Sequence, residues 1–125
     1  MEKQERNEHI LQELADWGCD MPGALARFVG NKELYCRLLA GVPQEEAFTA
    51  LGQALSAGDT HAAFEQAHAL KGMLGNMGLT EMYGEACEIV EPLRAGTAEG
   101  TAAHYQALMR GLQKLEKILN GEGRW

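Results

Sequence analysis

Residues that build β-sheet are scarce in this chain. Valine occurs only at Val29, Val42 and Val90. No stretch alternates apolar and polar residues with period two, so neither a sandwich nor a barrel is expected. No apolar run approaches the roughly 20 residues of a membrane span. Positive charge is in deficit, with 11 Lys and Arg against 18 Asp and Glu and a net charge of −7. Phosphate backbones and anionic lipid surfaces repel such a chain, so neither nucleic acid nor membrane is expected as a partner. Cysteine is limited to Cys19, Cys36 and Cys87. Without a C-x-x-C pair a zinc ribbon or dithiol redox motif is not expected, and free thiols in a reducing compartment are. Residues 1–9 are polar and lack the apolar core of a secretory signal, so the protein is read as cytoplasmic.

Helix formers fill the space. Hydrophobic residues make up 46% of the 125 residues, enough for one domain spanning 1–125, with a core over about 8–119 and frayed termini. Ala, Leu, Glu, Gln and Met dominate, and glycine and proline punctuate them at helical intervals. The pattern predicts a first helix over about 5–17, then a piece carrying Leu25, Phe28 and Val29. Asn31 caps a continuation through Leu34, Tyr35, Leu38 and Leu39, ended by Gly41 and Pro43. A helix over about 44–56 turns Phe48, Leu51 and Leu55 inward. Asp59 caps a helix over 60–77, which Gly78 stops. Thr80 caps a helix to about 95, carrying Met82, Ala86, Ile89, Val90 and Leu93. The last helix, about 101–119, carries Tyr105, Leu108, Leu112, Leu115 and Leu119. The expected fold is all-α: an antiparallel four-helix bundle made by the last four helices, with the N-terminal helical segment covering one end, as a monomer.

The helix 60–77 has two unlike faces. At about 100° per residue, Ala63, Ala67, Leu70, Leu74 and Met77 fall in a stripe of about 80° opposite His68. His61, Phe64, Glu65, Lys71, Gly72 and Gly75 fall within about 60° of it. His68 is therefore a surface residue and not a core one. A solvated surface histidine is the plain reading of that placement. Gly72 and Gly75 argue for more, because each glycine within a helix costs about 1 kcal/mol relative to alanine. Helical side chains lean toward the N-terminus, so small residues C-terminal to His68 leave its ring accessible to another molecule's backbone. Lys71, three residues on, puts an ammonium near the ring, where it can neutralise a phosphoryl group. A solvated charge paired with Glu65 or Glu81 is the alternative. Phe64 reads equally as boundary packing or as part of a docking patch.

His68-Ala69-Leu70-Lys71-Gly72, followed by Gly75-Asn76-Met77-Gly78, resembles the signature of histidine phosphotransfer (HPt) domains. Residues 55–59 (LSAGD) resemble the turn before that family's phospho-acceptor helix, and 91–96 (EPLRAG) the end of the helix after it. Residues 18–20 and 30–35 resemble the family's N-terminal half, so the resemblance covers most of residues 8–119.

The resemblance implies a four-helix bundle acting in two-component phosphorelay. His68 would take a phosphoryl group from a receiver-domain aspartyl phosphate and pass it to another receiver aspartate. Lys71 would stabilise the phosphoryl oxygens, and Phe64, Gly72, Gly75 and Leu79 would form the docking surface, with Met73 at its edge. Partners would be response-regulator receivers or a hybrid sensor histidine kinase. No cofactor is implied on this chain, because the Mg²⁺ belongs to the receiver, and no kinase activity is implied. Two residues depart from the family pattern. Met73 stands where a small residue is common. Pro92 lies in a segment the family keeps helical, which it should kink or end. A docking-only adaptor is the alternative function. A di-metal bundle would need paired Glu-x-x-His motifs facing inward, and Glu65-Gln66-Ala67-His68 is a single copy facing out.

Overall fold

The computed structural model describes residues 2–121. Seven α-helices follow one another: α1 (Lys3–Asp16), α2 (Met21–Arg27), α3 (Lys32–Ala40), α4 (Ala47–Ala57), α5 (Thr60–Asn76), α6 (Thr80–Arg94) and α7 (Thr101–Asn120). A short 3₁₀ turn, Val42–Gln44, joins α3 to α4. No strand occurs among the described residues, in line with the shortage of β-branched residues. Of the ends expected to fray, Met1 and residues 122–125 lie outside the described residues, whereas residues 3–7 are helical in α1 and Asn120 is the last residue of α7.

The last four helices pack in chain order, α4 on α5, α5 on α6 and α6 on α7, and α7 also meets α4. Their facing stripes make the core: Phe48 and Leu51 of α4, Leu70 and Leu74 of α5, Met82 and Ile89 of α6, and Leu108 and Leu115 of α7 are all buried. α5 and α6 run in opposite directions. Phe64 near the start of α5 meets Arg94 at the end of α6, and Gly75 near the end of α5 meets Tyr83 near the start of α6.

Side-chain caps open two helices where they were expected. Asn31 accepts from the Leu34 N–H and Asp59 from the Ala62 N–H, each at 3.0 Å. Asp20 also caps, accepting from the Gly23 N–H. Thr80 does not cap. The chain enters α6 through Leu79, and the Thr80 hydroxyl donates instead to the Gly78 carbonyl at 3.2 Å.

The segment α1–α3 lies over the α5–α6 turn and satisfies its carbonyls. Helix ends leave such carbonyls without intrahelical partners. The buried Tyr35 hydroxyl donates to the Met77 carbonyl at 2.6 Å. The Arg27 guanidinium donates to the carbonyls of Gly75 and Asn76, both at 3.1 Å. The Asp20 N–H donates to the Gly78 carbonyl at 2.9 Å. Gly78 is required here twice over. Its φ is +71°, and a Cβ would lie 2.7 Å from the Asp20 carbonyl oxygen and 2.9 Å from the Ala24 Cβ. Trp17, just after α1, adds a brace, donating through Nε1 to Glu81 while the Lys114 ammonium lies over its ring.

Several expectations are corrected. Leu55 is only partly buried, and Ala54 takes the inward position on α4. Ile118, which the sequence reading passed over, is buried on α7, whereas Leu119 and Tyr105 are partly so. Val29 is 93% exposed at a φ of +55°, in the turn after α2 rather than on an apolar face. Pro92 does not end α6, which continues to Arg94. It falls in the last turn, where the carbonyl it leaves without a donor belongs to the exposed Glu88 and water can serve it.

Candidate functional site around His68

The apolar periodicity of α5 fixes the site. Ala63, Ala67, Leu70, Leu74 and Met77 are all buried, so the opposite face, with His68 at mid-helix, is turned outward. His68 is exposed. Its ring stacks on Phe64 one turn earlier, with centroids 5.6 Å apart and planes 13° from parallel. Phe64 is half-buried against the core, and the Arg94 guanidinium of α6 lies over its ring at 5.2 Å from the centroid. Phe64 thus packs at the boundary of the core, the first of its two readings. Arg94 was missed because only the pairing of α5 with α6 brings it to residue 64.

Lys71 is half-buried on the same face. It pairs with neither carboxylate considered as its partner. Glu65 pairs with His61 Nε2 at 3.2 Å, and Glu81 accepts from Trp17 Nε1 at 2.9 Å. Among the described residues Lys71 enters no ion pair, which leaves its ammonium for an incoming anion.

The two glycines have different reasons. A Cβ on Gly72 would meet nothing within 4 Å, so its face is open to an approaching molecule. A Cβ on Gly75 would lie 3.1 Å from Cε1 of Tyr83. Gly75 therefore seats an aromatic ring of α6, a reason the sequence did not suggest. Tyr83 is 37% exposed, and its hydrogen bond to Cys87 raises its phenol above the ordinary 10.0. Two hollows flank His68 along the face. One, of about 320 Å³, includes His61, Phe64 and Arg94; the other, of about 340 Å³, includes Arg27, Gly75 and Tyr83.

Leu79 is removed from the docking surface. It is 1% exposed, because the left-handed turn at Gly78 sends the chain inward and the Leu79 N–H donates to the Leu74 carbonyl. Met73 is partly buried against the core, at the edge where the wheel puts it. No three His, Cys, Asp or Glu side chains among the described residues come together to hold a metal ion.

Comparison with protein families matches the Hpt domain over residues 44–119. This chain belongs to the histidine phosphotransfer family. The match spans α4 to α7 and contains His68, Lys71 and Gly72 on α5. Hpt domains are helical phosphocarrier modules of two-component phosphorelay, and histidine phosphotransfer is the process in which this chain takes part. The resemblance seen at residues 18–20 and 30–35 lies outside the matched stretch. No curated protein and no solved structure matches. No helix among the described residues is long and apolar enough to cross a membrane.

Proposed function

We propose that His68 is the phospho-acceptor of this Hpt domain, taking a phosphoryl group from a receiver-domain aspartyl phosphate and delivering it to another receiver aspartate. The observation that carries this reading is an exposed imidazole at the centre of α5, opposite the core stripe, in the setting His68-Ala69-Leu70-Lys71-Gly72. A lone pair on one nitrogen of the neutral ring attacks phosphorus. The N–P bond forms as the P–O bond to the aspartyl carboxyl breaks, and the carboxylate leaves with the electron pair. The second ring nitrogen keeps its proton through the attack. A carboxylate is already a good leaving group, so positioning and charge neutralisation do most of the work. Lys71 supplies the neutralising charge from this chain, and the divalent cation is the receiver's. Gly72 leaves room for the receiver's backbone.

The test is transfer of labelled phosphate. Receiver domains are charged with a small phosphodonor and mixed with the protein. Acid-labile label is then followed on wild type and on His68→Gln. Wild type takes label and His68→Gln takes none. Equal label on both proteins overturns the assignment. Binding without label favours the docking-only adaptor.

A further inference from the structure

We propose that Phe64 is a positioning residue for His68, fixing the plane of its imidazole, and that Arg94 in turn holds Phe64. The proposal rests on His68 being the phospho-acceptor. An imidazole lone pair lies in the ring plane, so the plane sets the direction of attack. In-line displacement needs the reacting atoms about 3–3.5 Å apart with that lone pair aligned. An exposed histidine on a helix has no such constraint of its own. Its first torsion has two accessible wells and its second is broad.

Phe64 supplies the constraint. The lean of helical side chains lays His68 over the residue four positions earlier, and the two rings lie 13° from parallel. Phe64 cannot turn freely, because part of it packs against the core and the Arg94 guanidinium lies over its face. The column Arg94–Phe64–His68 crosses from α6 to α5, so the relation of two helices sets the angle of one ring. Arg94 is not consumed elsewhere: its ion pair with Glu91 is a solvent-exposed contact at 3.5 Å.

The experiment separates positioning from docking. Single-turnover transfer from a phosphorylated receiver is measured over a range of receiver concentrations for wild type, Phe64→Leu, Phe64→Tyr and Arg94→Gln. Phe64→Leu lowers the saturating rate roughly threefold to tenfold, the range an aromatic pair is worth, and leaves the half-saturating concentration unchanged. Phe64→Tyr restores the rate. Arg94→Gln lowers it roughly twofold. NMR of the unphosphorylated proteins gives a second readout. The His68 ring protons are shifted upfield by the Phe64 ring current in wild type and Phe64→Tyr, and return downfield in Phe64→Leu. Phe64→Met serves as the apolar variant if leucine disturbs folding. A wild-type saturating rate in Phe64→Leu, a loss confined to the half-saturating concentration, or unmoved ring protons overturns the proposal. Absence of label on wild type overturns the phospho-acceptor reading itself, which distinguishes the two failures.

Discussion

A glycine on a helix surface and a glycine beneath an aromatic ring look alike in a sequence. Gly72 and Gly75 were read together as cleared ground beside His68, but a Cβ would meet open space at the first and the Tyr83 ring at the second. Substitution separates them. Gly72→Ala adds a methyl group to open space and removes the entropic penalty of glycine, so the fold should gain about 0.5–1 kcal/mol. Thermal unfolding checks the gain, and titration with a receiver checks its cost, an increase in the half-saturating concentration. Gly75→Ala pushes on the Tyr83 ring at 3.1 Å, so its helix-propensity gain is offset. Its melting temperature should stay below that of Gly72→Ala. Lys71→Ala should slow phosphoryl transfer at saturating receiver while binding is retained, because the ammonium acts on the phosphoryl oxygens rather than on the receiver surface. Rapid-quench rates compared with an equilibrium binding assay would show it.

Among the elements, the legible ones are those whose determinants are local. Asn31 and Asp59 were readable as caps because an N-cap reaches only two or three residues ahead. Asp59→Ala should cost about 1 kcal/mol and lower the melting temperature by roughly 3–5 °C. The two-faced α5 was readable because burial follows the 3.6-residue period for as long as the helix lasts. Leu79 was misplaced because that period stops at Gly78, where a φ of +71° resets the direction of the chain. Thr80 was misread as a cap for the same reason. The partners of Phe64 and Gly75 were illegible, since Arg94 and Tyr83 reach them only through the packing of α6 on α5. The family signature marked the histidine, while Arg94, which lies over the Phe64 ring beside it, comes from another helix.

For the molecule as a whole, the half-buried and buried thiols give a stability profile at alkaline pH. Burial pushes Cys19 and Cys36 from the ordinary 9.0 to about 11, and it raises Tyr35 in the same direction. The folded state therefore keeps protons that the unfolded chain releases. Stability should be flat below about pH 9 on this account and should fall as pH rises from there through about 11. Chemical denaturation at pH 8, 9.5 and 10.5 measures the fall. Cys19→Ala and Cys36→Ala, combined, should make it shallower; an unchanged slope would assign it to other groups.

The ties between α1–α3 and the end of α5 bear on where this protein can be divided. The family match begins at residue 44, yet Arg27, Tyr35 and Asp20, all upstream of it, donate to the carbonyls of Gly75, Asn76, Met77 and Gly78. Evolutionary comparison and mechanical continuity thus draw different borders on the same chain. On the proposed function, a receiver pressing on the exposed face of α5 would load a helix whose far end is anchored in residues the family pattern does not include. Sequence change in that upstream segment would then tune the stiffness of α5 without altering any residue on the face proposed to meet the receiver.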